Sequence, residues 1–270
     1  MGQMRRHPSS LALKTLPSVV GRSVSHVKLV DALLLMTTYA GITSVGVTGN
    51  KVQLRSGDVI PIRDREDLAT VVVVMLRQDY GRVAPGAIVV DIGANIGVFS
   101  LWACLCGASK VIAVEPEPRN IDDLKQTCTR FIKDGLVTVE ESAVGASISM
   151  RKLALRGSQT HSLNGSIDGP SVEVACLSIE SLFDRHGLDR IDLLKMDIEG
   201  GEYEAFYATS IAALRRVRHI RMEFHNQGGE SEKVDPLVAF LRRSGFVVTK
   251  RIDISRNSGM LWLDMGANKS

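Results

Sequence analysis

The stretch VVDIGANIGVFS, residues 89–100, sets an apolar run ending in Asp91 directly before a turn containing Gly93, Asn95 and Gly97. A short continuous apolar run bounded by turn residues reads as a strand buried on both faces. The residues behind it, NIGVFSLWACLCG, have the apolar spacing of a helix. Strand, tight glycine turn and helix form the opening unit of an α/β sheet, and such sheets bind ligands beyond the carboxyl ends of their strands.

Outward from this unit the rhythm repeats. AIVVD and KVIAVE read as strands, PEPRNIDDLKQTCTRFI as a helix and LVTVEE as a third strand. Residues 147–176 interrupt the alternation, with ISMRKLAL and VEVACL as strands around the polar loop RGSQTHSLNGSIDGP. The pattern resumes with SIESLFDRHG, IDLLKMD, GGEYEAFYATSIAALRR, VRHIRMEF and SEKVDPLVAFLRRSG, alternately helix and strand. FVVTKR and GMLWLD, two strands after the last helix, predict an antiparallel hairpin at the sheet edge. Residues 83–270 thus read as one α/β domain with a mostly parallel sheet and a strand-loop-strand insertion at 147–176.

Residues 1–82 differ in character. SVSHVKLVDALLLMTTYA (23–40) has helical spacing, VGVTGNKVQLRSGDVIPIRD alternates like a small meander, and DREDLATVVVVMLRQDYG reads as a helix opened by Asp64. This is a small N-terminal α+β accessory region.

Composition narrows the partners. A net charge of +3, with basic residues scattered, gives no electrostatic footprint for nucleic acid. No apolar run approaches the ~18 residues that span a bilayer, and Lys14 and Pro17 interrupt the stretch that would have to form a signal peptide. Cys104, Cys106, Cys128 and Cys176 form no CxxC pair. They read as free thiols in a cytoplasmic protein. Self-association into a homo-oligomer is compatible with all of this.

Almost every strand ends in a carboxylate: Asp91, Glu115 before Pro116, Glu140-Glu141 before Ser142, Asp197 before Glu199, and Glu223 before His225 and Asn226. A dinucleotide site wants GxGxxG, whose backbone holds a pyrophosphate. Here Ala94 replaces the middle glycine, and Asp91 would repel a pyrophosphate. A cationic ligand fits better, and S-adenosylmethionine offers an ammonium and a sulfonium. Asp91, Gly93, Ala94, Asn95, Gly97 and Pro116 are read as its contacts, with Glu115 accepting the ribose hydroxyls, Ser142 flanking the adenine and Tyr80 as a lid.

VVDIGANIGVFS, EPEPRN, IDLLKMDIEGGEYEAF and IRMEFH together resemble the FkbM-type S-adenosylmethionine-dependent methyltransferases. KMDIEGGE and EFH carry the specific part of the likeness, which runs from about Val89 to the C-terminus. The resemblance implies a Rossmann-like class I methyltransferase fold and O-methylation of a small-molecule hydroxyl, on a sugar unit or a natural-product scaffold. A NAD-dependent oxidoreductase and a cofactor-binding protein without activity are the alternatives.

Methyl transfer to an unactivated hydroxyl requires removal of its proton. His225, Asp197 and Glu223 are the catalytic candidates, with His225 the most natural base because imidazole titrates near neutrality. Asp197 is also read as a donor contact. Glu223 has His225 or Arg221 as its expected partner, and Glu199 either orients Lys195 or caps a helix. Glu199, His161, Ser162 and Asn226 are the substrate-side candidates, the middle two lying in the polar loop 157–169. Asp197, Glu223 and His225 are adequate ligands for a divalent cation, but their spacing is not diagnostic and no metal is assigned.

Overall fold

The computed structural model describes residues 51–154 and 170–266. The expected helix at 23–40, the Gly49-Asn50 reversal, and His161 and Ser162 lie outside the described residues. The chain divides into two compact units, Met1–Gly81 and Arg82–Ser270. No helix among the described residues is long and apolar enough to cross a membrane.

In the first unit β1 (Lys51–Gln53) and β2 (Val59–Pro61) pair antiparallel, Val52 opposite Ile60. The reversal falls at Gly57, whose φ of 89° favours glycine. Asp64 opens α1 (Arg65–Val71) by accepting bonds from the amides of Glu66 and Asp67. The valine-rich continuation, Val72–Arg77, keeps a helical path but widens to a π-helix, and Gln78 ends it in the left-handed conformation. The helix therefore stops short of the expected Gly81.

The second unit is built on a seven-stranded sheet in the order β11-β12-β10-β9-β3-β4-β5. Its strands are β3 (Ile88–Ile92), β4 (Lys110–Val114), β5 (Val137–Glu140), β9 (Ile191–Met196), β10 (Val217–His225), β11 (Phe246–Asp253) and β12 (Ser258–Met265). From β5 to β10 all neighbours are parallel. β9, next to β3, is buried at all six positions, its two charged residues Asp192 and Lys195 included. The expected terminal hairpin is present, with one refinement: β12 lies between β10 and β11 and is antiparallel to both. Its apolar residues Met260, Leu261 and Leu263 are buried, whereas β11 is mostly exposed and forms the edge.

Helices α2 (Val98–Leu105), α3 (Pro118–Thr127), α4 (Thr129–Lys133), α5 (Ile179–Arg185), α6 (Glu202–Ala208), α7 (Ile211–Leu214) and α8 (Val234–Arg243) connect the strands. Two helices expected to be continuous are each broken. The first divides at Cys128 into α3 and α4. The second divides where Ser210 leaves the helical conformation and caps α7, its hydroxyl accepting from the Ala213 amide. The interruption at 147–176 is a separate sheet: β7 (Ser149–Ala154) antiparallel to β8 (Ser171–Leu177), with β6 (Ala143–Val144) parallel to β8.

Register now positions the site. β3 leads to β4 and β5 on one side, and the chain then returns to place β9 and β10 on the other. That reversal opens a crevice beyond the carboxyl ends of β3 and β9. Ile92 pairs with Met196 and Met196 with Met222, so Gly93, Asp197 and Glu223 follow one another across three adjacent strand ends. Gly93 and Asp197 are in close contact there: a Cβ on Gly93, whose φ is 73°, would stand 1.9 Å from the Asp197 carbonyl oxygen. The glycine of DIG is thus required by the neighbouring loop. Gly93→Ala should lower stability by about 2–4 kcal/mol, from left-handed strain plus overpacking. Urea unfolding checks it, and a loss below about 1 kcal/mol would mean the two loops separate freely.

Candidate active site

Asp91 ends β3 fully buried. The Ser100 hydroxyl, on α2, donates to its Oδ2 at 2.7 Å, and Lys195 Nζ lies 3.2 Å from Oδ1. Lys195, itself buried in β9, also donates to the Gly93 carbonyl at 2.6 Å. Burial alone would lower the Lys195 pKa, but Asp91 and Asp197 outweigh it and hold the ammonium above its ordinary value. One expectation changes. The Asp91 charge is met inside the protein, beneath the turn, by Lys195, which is held by Asp91 and the Gly93 carbonyl.

The turn itself spends its amides internally. Gly93 and Ala94 both donate to the Val114 carbonyl at 3.0 Å, and Gly97 donates to Ala94 at 2.9 Å. The Asn95 amide donates to Glu115 Oε2 at 2.8 Å. A pyrophosphate cradle needs such amides aimed at the ligand, so the dinucleotide alternative loses its anchor. Asn95, left-handed at φ 50°, keeps its side-chain Oδ1 buried without a partner.

Glu115 follows β4 and is held in place by three donors. Besides Asn95, the Glu117 amide and Asn120 Nδ2 bond Oε1 at 3.0 and 3.2 Å. A carboxylate has about four acceptor sites, so one remains. Burial raises the Glu115 pKa against the lowering effect of the bonds from Glu117 and Asn95. Ser142, beyond β5, is buried with its hydroxyl unpartnered. Pro116 lines a groove of about 280 Å³ with Ile121, Lys125, Glu141 and Val174. Three neighbouring strand ends therefore present polar atoms with hydrogen-bonding capacity to spare, which suits a ligand rich in hydroxyl and amino groups.

Across the crevice stand the ends of β9 and β10. Asp197, Glu223 and His225 each bring one ligand atom within 4.8 Å of the others. Arg221, Glu223 and His225 share one face of β10. The His225 ring donates from Nδ1 to Glu202 Oε1 at 2.9 Å. Its Nε2 lies 3.7 Å from Glu199 and 3.8 Å from Glu223. Glu199 adopts φ 54°, the second non-glycine left-handed residue at this crevice after Asn95.

Electrostatics bear on the expected base. Burial pulls the His225 imidazole down, but the bond and charge of Glu202, with Asp197 and Glu199, raise its pKa to about 10. These neighbours hold the imidazole toward its protonated form, which is not the form that accepts a proton. Glu223 is pushed to about 8, by burial first and then by Asp197, against the favourable charge of His225.

Other candidates fall elsewhere. Arg221 pairs with Asp264 at 2.8 Å and stacks over Trp262, so it is not the partner of Glu223. Asn226, read as a substrate contact, instead accepts from the Tyr203 hydroxyl at 3.0 Å and the Val234 amide at 2.8 Å, tying α6 to the start of α8. Tyr80, read as a lid, belongs to the first unit. Three participants were not singled out from sequence, Ser100, Asn120 and Glu202, and Lys195 was named only as a partner of Glu199. Lys195 had a signal of its own, the one cation inside the strand IDLLKM.

Removing one partner of a buried ion pair costs about 3–5 kcal/mol. Lys195→Met should destabilise the protein by that amount, and adding Asp91→Asn should recover part of it. Denaturant unfolding of the two variants reads the difference; equal stability of wild type and Lys195→Met would exclude the pairing.

Residues 91–248, more than half of the chain, match the methyltransferase FkbM domain. The chain is 27% identical over 202 residues to the 31-O-demethyl-FK506 methyltransferase FkbM of Streptomyces tacrolimicus, covering 63% of this chain and 76% of that protein. It is 26% identical over 210 residues to the methyltransferase sdnD of Sordaria araneosa, covering 64% and 78%. It is also 25% identical over 209 residues to the AMB antimetabolite synthetase AmbE of Pseudomonas aeruginosa, covering 63% of this chain but only 10% of that much longer protein.

Proposed function

The chain belongs to the FkbM methyltransferase family, and from that premise we propose that it methylates a hydroxyl oxygen of a small molecule with S-adenosylmethionine as donor. The acceptor class is a sugar unit or a natural-product scaffold. The observation that carries the donor assignment is the pair of buried, unpartnered atoms Asn95 Oδ1 and Ser142 Oγ, flanking Glu115 at adjoining strand ends. When bound, the sulfonium supplies a methyl group open to direct displacement by oxygen.

The protein's own groups then divide the work. Glu115, fixed by three donors, accepts from ribose hydroxyls through its remaining site. Asn95 and Ser142 bond polar groups of the nucleoside. Asp197 lies at the next strand end, between the donor side and the acceptor side. The acceptor hydroxyl faces Asp197, Glu199, Glu223 and His225, and the carboxylates of Asp197 and Glu199 take up its proton. His225, positively charged, offsets their mutual repulsion. A relative whose name specifies a 31-O-demethyl substrate supports oxygen as the acceptor. Four free cysteines support a cytoplasmic setting.

Isothermal titration should show S-adenosylhomocysteine binding far more tightly than NAD, and the reverse order would sink the proposal. Glu115→Ala should weaken that binding about tenfold or more, the equivalent of one charge-assisted bond. Glu223→Gln should lower kcat about a hundredfold, with S-adenosylhomocysteine affinity within about twofold of wild type. Formation of S-adenosylhomocysteine over a panel of hydroxylated sugars and polyketides provides the turnover readout.

A further inference from the structure

We infer that Asp197, Glu223 and His225 form a binding site for a divalent cation at the carboxyl ends of β9 and β10. Their spacing in the sequence did not indicate it; the fold assembles it. One ligand atom from each lies within 4.8 Å of the other two. Ligands around a shared ion at about 2.1 Å stand about 3.0–4.2 Å apart, and the 3.8 Å between His225 Nε2 and Glu223 Oε1 already falls in that range. Two carboxylate oxygens and an imidazole nitrogen suit Mg²⁺, Mn²⁺ or Zn²⁺, the ion taking the place of the proton that His225 Nε2 carries without it. Three protein ligands leave positions open for water or substrate.

Glu202 provides a separate indication. It is fully buried, and its Oε1 holds His225 Nδ1 at 2.9 Å. That bond turns Nε2 toward Glu223 and Glu199, the carboxylate–histidine arrangement that orients a metal ligand. Its other oxygen, Oε2, is buried without any hydrogen-bond partner. It sits on the same carboxyl group that grips the histidine.

Charge points the same way. Asp197, Glu199, Glu202 and Glu223 crowd around one imidazole. Arg221 is engaged with Asp264, and Lys195 divides its charge between Asp91 and Asp197. A divalent ion brings such a group of charges close to balance. The side chains of His225 and Glu223 remain 15% and 28% exposed, so an ion can enter.

The role of the ion rests on the methyltransferase reading, whereas its binding stands on these side chains alone. The acceptor hydroxyl oxygen becomes a further ligand, which acidifies it. Its proton passes to the Glu199 carboxylate as the new oxygen–carbon bond forms. The sulfur–methyl bond breaks with its electron pair on sulfur, leaving a neutral thioether.

The test is Mn²⁺ titration of the full chain after chelation, followed by loss of the free-ion electron paramagnetic resonance signal, with and without S-adenosylhomocysteine. One saturable site is expected. Glu223→Gln and Asp197→Asn should each weaken it more than about tenfold, and Glu202→Gln by about tenfold to a hundredfold. No saturable binding, or wild-type affinity in both ligand variants, overturns the inference. Should Asp197→Asn fail to fold, Glu223→Gln, verified by circular dichroism, decides alone. Undiminished turnover after chelation removes the catalytic role. Mn²⁺ binding by a protein that does not bind S-adenosylhomocysteine would leave the ion site standing and defeat the donor assignment.

Discussion

The buried pairing of Lys195 with Asp91 holds together everything at the carboxyl ends of the central strands. Lys195 reaches from β9 to the carboxylate ending β3 and to the Gly93 carbonyl just beyond it. One side chain thus sets the height of the glycine turn relative to the neighbouring strand. The loop after β9 then packs so closely on Gly93 that no Cβ fits between them. Desolvating two charges is costly, and the pairing is tolerated because each partner has further bonds, from Ser100 on one side and to Gly93 on the other. What results is a fixed floor for the crevice.

Above that floor the two sides of the crevice have different chemistry. On the side of β3, β4 and β5, carboxylate and amide groups are held rigidly by backbone donors, while Asn95 Oδ1 and Ser142 Oγ keep unspent capacity. On the side of β9 and β10, four carboxylates surround one histidine, and Glu199 takes a left-handed conformation to reach it. The first side suits recognition of a polar nucleoside. The second concentrates negative charge around a single imidazole. The chain belongs to the FkbM methyltransferase family.

Much of this was legible in the residues. Unbroken apolar strands alternating with amphipathic helices gave a mostly parallel sheet, because a strand covered on both faces cannot afford polar positions. The carboxylates at strand ends marked the crevice for a similar reason: a purely structural sheet has no use for them there. Helix continuity was harder to read. The apolar period runs through Thr209-Ser210 and through Cys128, and only the local competition of a serine hydroxyl for backbone amides shows where α7 begins anew. Asp91 was found but its partner was not, since charge spacing along a chain does not reveal contacts across strands.

By itself, the sequence determined the α/β rhythm, the glycine turn, the carboxylates at the strand ends and the likeness to a methyltransferase family. These depend on local periodicity and on residue types in a fixed order. Only the tertiary structure decided which charges meet: Lys195 with Asp91, Glu202 with His225, Arg221 with Asp264. It also decided that charged neighbours hold His225 toward its protonated form, and that Asp197, Glu223 and His225 converge on one point. The physical reason is that electrostatic partners are chosen by strand register and burial. Both arise when strands distant in the chain pair side by side, and neither leaves a periodic trace along it.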